Sequence, residues 1–220
     1  MIASGLWAEI GRGIYETLYM TLLSTVVAYM IGLPLGVLLL ITRKGHIKSS
    51  PLFNATLGTA INILRSVPFL LLMIFVIPLT RAVMGRSFGS FATIMPLTIA
   101  AFPFISRLVE SSLSEVDPGV VEAAQSMGAS TMQVIRKVIL TEATPSLING
   151  FAIATTSILG YSAMAGAIGG GGLGAIAINY GYYRFRTQEM FICIIILVVL
   201  VQGFQYIGSK AAIALDHRIR

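Results

Sequence analysis

Long apolar segments alternate with short polar ones along most of this chain. About 20 apolar residues suffice to cross the hydrocarbon core of a bilayer, and the pattern predicts roughly five such segments, near residues 16–41, 55–79, 91–113, 145–168 and 189–210. The second and third are broken by prolines. We therefore expect an all-α integral membrane protein with about five transmembrane helices, in which residues 1–220 form a single transmembrane domain.

Composition supports this class, because 56% of the 220 residues are hydrophobic and only 11% are charged. The net charge of +6 does not indicate a nucleic-acid partner, since no basic run is interleaved with aromatic residues. The single cysteine, Cys193, lies in an apolar run and has no intrachain disulfide partner. The first residues contain acidic side chains and no basic start, so we do not expect a removable signal peptide.

The basic residues predict how the chain is oriented. Nine of them lie on the side shared by the first loop, the polar segment after the third span and the C-terminal tail, among them Arg43, Lys44 and Lys48. The opposite side has five, and Arg65 is assigned to neither side. Cytoplasmic loops carry the excess of Lys and Arg. This bias places the N-terminus outside and the C-terminus in the cytoplasm.

One polar and amphipathic segment, residues 117–140, stands between the apolar ones, and we call it the cytoplasmic loop. Asp117 and Pro118 are typical of a helix start, and Gly128 of a helix end. Ser130 and Gln133 have the spacing of a capping box that opens a second helix. The spacing predicts one apolar stripe of Val120, Ala124 and Met127 on the first helix, and a second of Met132, Ile135 and Ile139. Both a lipid-resting helix and a docking helix fit this pattern, but the first helix has only acidic and neutral polar groups, which favours a protein partner.

Within this loop, Glu122-Ala123-Ala124, Gly128 six residues after the glutamate, and Val138-Ile139-Leu140 closely resemble the EAA motif of ABC importer permeases. This chain has Thr141 where that motif usually ends with proline. Three further stretches look like the methionine-type permeases, namely residues 14–36, 65–69 and 160–174.

The resemblance implies the type I importer permease fold in a bacterial inner membrane. It also implies a homodimer of permease chains, two copies of a cytoplasmic ATPase that bind ATP and Mg, and an extracytoplasmic methionine-binding protein. In such a system the cytoplasmic loop docks the ATPase. The residues expected to couple the two subunits are Glu122, Ala123, Ala124, Met127 and Gly128. The chain itself is expected to bind no cofactor and to be no enzyme.

A solute path needs unusual backbone that faces a cavity or protein, so prolines and small residues within spans are informative. For any single proline a kink that neighbouring helices satisfy is the favoured explanation, but prolines cluster in two adjacent spans, which indicates a shared lined space with Pro68 and Pro103 as candidates. Met164 projects from small neighbours, with Tyr161 and Ser162 beside it, and we expect these three to narrow the path. Ordinary packing is the alternative at this position.

Two glycine-rich stretches resemble phosphate-binding loops only superficially. Residues 169–174 lack the preceding strand and the Lys-Ser or Lys-Thr pair of a P-loop, so a flexible outer loop is expected there. Residues 203–210 have Ser and Lys in the wrong order and end a membrane-spanning helix. Energy is therefore expected to come from a partner subunit.

The remaining polar residues suggest structural roles. Arg65 is expected to extend to the interface or to pair inside the bundle, and Arg107 to form an ion pair with Glu110 at a helix end. His46 and His217 have no neighbours at metal-ligand spacing, so no metal site is expected.

Two alternatives remain open at this stage. One is a permease of the same class for another amino acid or small solute, since a fold does not fix its substrate. The other is a transporter driven by an ion gradient, or a membrane scaffold, which needs no ATPase. The residues Glu16, Glu110, Glu142 and Glu189 all lie at or near span ends, which does not favour ion coupling.

Overall fold

The computed structural model describes residues 4–215, and within them all regular structure is helical. The long helices are α1 (Ser4–Ile41), α4 (Ser90–Leu113), α8 (Thr144–Ala165) and α10 (Thr187–Leu215), with α2 (Pro51–Ser66), α3 (Phe69–Met84) and α5 (Pro118–Ser126) between them. Three short α-helices lie among them, namely α6 (Thr131–Gln133), α7 (Leu140–Glu142) and α9 (Gly172–Ile176). His217, Arg218 and Arg220 of the predicted cytoplasmic tail lie outside the described residues.

The predicted spans are confirmed in number and approximate position. Four helices of the described chain are long and apolar enough to cross a membrane, and a fifth span results if α2 and α3 count as one. The predicted span at 55–79 is divided because Pro68 stands directly before α3 with φ −57° and ψ 132°, an extended conformation. A residue so placed cannot continue a helix, although its carbonyl still accepts the Leu72 N–H at 3.0 Å.

The described residues form two compact units. The first consists of residues 4–28, 67–101 and 154–205. Its buried apolar cluster joins Leu6 and Ile10 of α1 to Leu173, Ile176 and Cys193. Gly13 permits this close packing, because a Cβ there would lie 2.5 Å from the Ile176 Cδ1.

The second unit consists of residues 29–66, 102–153 and 206–215. Here α1 and α4 come into close contact along Gly32 and Gly36. A Cβ at Gly36 would lie 2.7 Å from the Ser106 carbonyl oxygen and 2.6 Å from the Val109 Cγ1. Small residues at such crossings are how membrane helices gain packing contact, since lipid supplies no hydrophobic driving force between helices.

The turn after α1 is held by hydrogen bonds from α2. The Asn54 side-chain amide donates to the Leu39 carbonyl at 2.6 Å and to the Thr42 hydroxyl at 3.0 Å. Backbone bonds from Lys48 N–H to Ile41 and from Ser50 N–H to Thr42 close the turn. The basic loop that the sequence places between the first two spans is therefore an ordered turn.

We expect Gly36→Ala to destabilise the protein by about 1–3 kcal/mol, because the added methyl group must push α4 away from α1. Thermal unfolding in detergent measures the effect. Gly203→Ala is the matched control, since a Cβ there meets nothing within 4 Å. It should leave stability unchanged or raise it by up to about 1 kcal/mol through helix propensity. Equal thermal unfolding midpoints for the two variants would contradict the close packing of α1 against α4 at Gly36.

Candidate coupling and translocation sites

The first helix of the cytoplasmic loop, α5, is defined by its end signals. The Asp117 carboxylate accepts the Gly119 N–H at 2.7 Å, and Pro118 is the first helical residue. At the other end Gly128 has φ +81°, and the Ala129 N–H donates to the Ala124 carbonyl at 3.1 Å. This is a Schellman ending, which needs a left-handed residue that glycine adopts without strain. The predicted helix start and end are both confirmed.

The second helix of the loop opens with the predicted capping box. The Ser130 N–H donates to the Gln133 Oε1 at 2.7 Å, and the Ser130 Oγ accepts the Gln133 N–H. Residues Val134–Ile139 then form a π-helical segment before α7. The Thr141 hydroxyl donates to the Arg136 carbonyl at 3.2 Å. Helical backbone thus continues past the position at which the EAA pattern usually has proline, and Pro145 falls in the first turn of α8 instead.

The two faces of α5 differ from the predicted stripe. Val121 and Ala124 are buried within the chain, so Ala124, at 6% exposure, has little surface for a partner. Val120, Ala123 and Met127 are exposed, Met127 at 82%. These three lie at i, i+3 and i+7, which places them on one side of the helix. We call them the exposed apolar face of α5. On the second helix Met132 is also exposed, whereas Ile135 and Ile139 are buried.

Glu122 lies on the other side of α5. Together with Pro118, Val121 and Gln125, at i, i+3, i+4 and i+7, it lines a cavity bounded by the turn after α1. Within the described residues the Glu122 carboxylate has neither a hydrogen bond nor an ion pair. The glutamate of the EAA motif is therefore directed away from the exposed apolar face.

Arg107 joins α4 to α2. Its Nη1 donates to the Glu110 Oε2 at 2.7 Å, which confirms the predicted ion pair, and its Nη2 donates to the Gly58 carbonyl at 2.9 Å. Gly58 allows this approach, because a Cβ there would lie 2.9 Å from the same Nη2. Arg65, in contrast, is exposed at the end of α2.

Of the three residues predicted to narrow the path on α8, only two reach a surface of the chain. Met164 is 50% exposed, and Tyr161 is half-buried and stacks on Phe69 with ring centroids 4.8 Å apart. Ser162 is fully buried, and its hydroxyl donates to the Leu159 carbonyl at 2.7 Å. Ser162 therefore faces the interior of the first unit, contrary to its expected position beside Met164.

The predicted prolines occupy different environments. Pro68 is exposed and directly precedes Phe69, so the Phe69–Tyr161 stack brings this proline-broken segment to α8. Pro103 is buried within α4, in the second unit. Only for Pro68 does a contact, the Phe69–Tyr161 stack, support the prediction that the prolines line a common solute path.

The glycine-rich segment after α8 is ordered, which corrects the expectation of a flexible loop. Gly172 N–H donates to the Glu16 Oε2 at 3.0 Å, and Leu173 N–H donates to the Thr17 Oγ1 at 2.9 Å. The Thr93 hydroxyl donates to the Gly170 carbonyl at 3.2 Å. Left-handed φ values at Gly169, Gly171 and Gly172 let these groups turn toward their partners.

We call this arrangement the Glu16–Thr17 clamp, and sequence reasoning missed it. An acidic residue near the start of a span, far in sequence from a run of glycines, was the available signal. The other stretch considered for phosphate binding, residues 203–210, lies inside α10 and has helical backbone.

Comparison with known proteins places this architecture in a family. Residues 28–208 match the model of the binding-protein-dependent transport system inner membrane component, and the chain belongs to that family. It is 49% identical over 205 residues to the probable D-methionine transport system permease protein MetI of Vibrio cholerae, covering 93% of this chain and 91% of that one. It is 47% identical over 155 residues to the D-methionine transport system permease protein MetI of Escherichia coli K12, covering 70% and 71%.

Solved structures agree with this assignment. A chain from inward facing conformations of the MetNI methionine ABC transporter superposes with a TM-score of 0.97 at 42% identity, covering 98% of this chain and 100% of that one. A chain from the crystal structure of an amino acid ABC transporter with histidines has a TM-score of 0.75 at 21% identity, covering 93% of each, and supports the fold alone. The predicted all-α type I importer permease fold is confirmed. Family membership also confirms that the chain is a permease subunit rather than the ATPase.

We expect Glu16→Ala to loosen the glycine-rich segment, because Gly172 loses an ionised acceptor. Amide hydrogen exchange at Gly172 and Leu173 should accelerate about tenfold or more, since hydrogen bonds to charged groups contribute about 1.5–3 kcal/mol. Arg12→Ala is the control, because it removes only the salt bridge of the same carboxylate to a side chain that is 80% exposed. Unchanged exchange in Glu16→Ala would contradict the clamp.

Proposed function

We propose that this chain is the membrane-spanning permease of an ATP-driven importer for methionine. The proposal of methionine as the substrate rests on the 49% identity, over 93% of the chain, to a probable D-methionine transport permease. Similarity along nearly the whole length includes the segments that must line a solute path. No feature of the described residues favours a different solute.

The proposed assembly is a homodimer of this permease with two ATPase subunits and an extracytoplasmic methionine-binding protein. ATP and Mg bind to the ATPase subunits. The protein lies in the bacterial inner membrane with its N-terminus outside and its C-terminus in the cytoplasm, an orientation supported by the excess of basic residues on one side. Alternation between inward-open and outward-open states then moves the solute.

Coupling is proposed to run through the cytoplasmic loop. The exposed apolar face of α5 supplies the contact with the ATPase, since Val120, Ala123 and Met127 are exposed within the described chain. The contact thus involves Val120 in place of the buried Ala124. Gly128 fixes the turn between the two helices, and the caps at both ends keep α5 rigid enough to transmit a push.

The solute path is proposed to include Met164 and Tyr161, together with the predicted prolines. Pro68 lies where a span departs from regular helix, and Pro103 lies within the continuous helix α4. Met164 supplies a polarizable thioether on a half-exposed site, which suits contact with another thioether. Ser162 contributes indirectly, because its hydrogen bond to Leu159 holds the α8 backbone that presents Tyr161.

Cells that carry this permease with its own ATPase and binding protein should accumulate labelled methionine, and excess unlabelled methionine should compete. Met127→Glu should lower uptake about tenfold or more and abolish co-purification of the ATPase, since burying an unpaired charge in an apolar contact is costly. Ser126→Glu adds the same charge about 100° away around the helix and is the control.

Two outcomes would contradict the proposal. If the system transports another solute for which methionine does not compete, the substrate is wrong. If the chain alone transports methionine in proteoliposomes under an ion gradient, the dependence on an ATPase is wrong.

Cysteine labelling tests the path and the orientation. The single native thiol is buried, so Cys193→Ala gives a silent background. Met164→Cys should react with a membrane-impermeant thiol reagent and be protected by methionine, because a water-lined thiol ionises readily whereas a lipid-facing one does not. Ser162→Cys, at a fully buried site, should not react.

Lys48→Cys should react only from the cytoplasmic side. If Met164→Cys does not react, the assignment of Met164 to the solute path is wrong. If Lys48→Cys reacts from outside, the proposed orientation is wrong.

A further inference from the structure

The ring of Tyr161, on α8, is covered on one face by a single aromatic partner. It stacks on the Phe69 ring with centroids 4.8 Å apart and an interplanar angle of 12°. Both side chains are half-buried, and both residues belong to the first unit. The Tyr161 hydroxyl has no hydrogen bond to any residue between 4 and 215. Because no hydrogen bond fixes it, the orientation of this ring depends on packing, and Phe69 is the packing partner.

The proline before Phe69 fixes where this partner stands. Pro68 has φ −57°, close to the value that its own ring imposes, and ψ 132°. Its carbonyl accepts the Leu72 N–H at 3.0 Å, so Pro68 is tied to the first turn of α3. Phe69 is the first residue of that helix. The break in the span therefore places an aromatic side chain against α8.

Met164 lies one turn beyond Tyr161 on α8. The two positions are at i and i+3, so their side chains share one side of the helix. A methionine in a helix directs its side chain back toward the preceding turn, which here is the turn that carries Tyr161. Met164 is 50% exposed, and a thioether makes favourable contacts with an aromatic ring. The Tyr161 ring therefore borders the exposed surface of Met164.

We propose that Phe69 is a positioning residue of the solute path. By covering one face of Tyr161, it holds this ring beside Met164, and the two side chains together narrow the path. Phe69 acts through Tyr161 rather than by contact with the solute. This role rests on the proposed function, which assigns Tyr161 and Met164 to the path. It also gives Pro68 a purpose, because the rigid break determines where Phe69 stands.

The reaction rate of a thiol at position 164 reports how open the path is there. The parent protein is Met164→Cys in the Cys193→Ala background, assembled with its ATPase in proteoliposomes without ATP. A small membrane-impermeant methanethiosulfonate is added from outside. Phe69→Ala should speed the reaction about threefold or more, because the Tyr161 ring tilts into the vacated volume. An aromatic pair is strong enough to change the population of ring orientations by such a factor.

Further variants separate the ring from general effects on folding. Phe69→Tyr keeps the flat ring and should react as the parent does. Phe69→Leu keeps most of the apolar volume without the ring, and its rate should lie between those of the parent and Phe69→Ala. It provides the same comparison if Phe69→Ala does not assemble with the ATPase. Phe75→Ala is the matched control, since it removes the same side chain from α3 at a position that is 80% exposed. It should leave the rate unchanged.

Combined variants test whether Phe69 acts through Tyr161. In a Tyr161→Ala background the thiol at position 164 should already react fast, and adding Phe69→Ala should change the rate no further. In a Tyr161→Phe background, which keeps the ring, Phe69→Ala should have its full effect. If the effects of Phe69→Ala and Tyr161→Ala simply multiply, Phe69 acts by another route and the proposal is overturned.

The outcomes also separate this role from the proposed path itself. If the thiol at position 164 reacts and is protected by methionine, but Phe69→Ala leaves its rate unchanged, the role of Phe69 is refuted and the path stands. If the thiol reacts in neither the parent nor any variant, the path assignment and the role of Phe69 are both wrong. A slower reaction in Phe69→Ala also overturns the proposal, because Phe69 would then hold Tyr161 out of the path.

Discussion

Every backbone N–H and C=O group in a membrane needs a partner within the protein, and the irregular parts of this chain follow from that requirement. The glycine-rich segment after α8 leaves helical geometry where Glu16, Thr17 and Thr93 supply side-chain partners and where the Gly89 N–H donates to the Gly169 carbonyl. The unpaired ends of helices in the cytoplasmic loop are satisfied in the same way, by Asp117, Ser130 and Gln133. Non-helical segments therefore occur where particular side chains can form hydrogen bonds with the backbone. These side chains determine where the chain changes direction.

The cytoplasmic loop combines two surfaces on one short helix. Burial of Val121 and Ala124 fixes α5 to its own chain, while the exposed apolar face is the surface proposed to contact the ATPase. Glu122 belongs to neither surface, because it lies on the cavity side. A helix that packs on its own chain along one side and keeps an apolar face exposed along the other suits the proposed transmission of motion between an ATPase and a membrane path.

The sequence was sufficient for features that depend on local chemistry. Apolar length predicts the spans, and the residues at positions 117, 118, 128, 130 and 133 predict the caps because each acts within one turn of helix. The orientation of side chains was less accessible: Ala124 and Ser162 are buried by neighbours that local spacing does not reveal. The Glu16–Thr17 clamp joins residues 156 positions apart, and no periodicity encodes such a pairing. The positions of the helices could thus be predicted from the sequence, whereas the contacts between residues far apart in it could not.

The π-helical segment Val134–Ile139 sets a limit on how this loop can vary in length. A π turn accommodates one residue more than an α turn, and each residue of an α-helix advances the side chains by about 100°. Deleting or inserting a single residue there would rotate everything before it relative to α8, including the turn at Gly128. The count of residues between that turn and the next span is thus constrained as strongly as their identities, and relatives that differ in this count should have a differently directed docking surface.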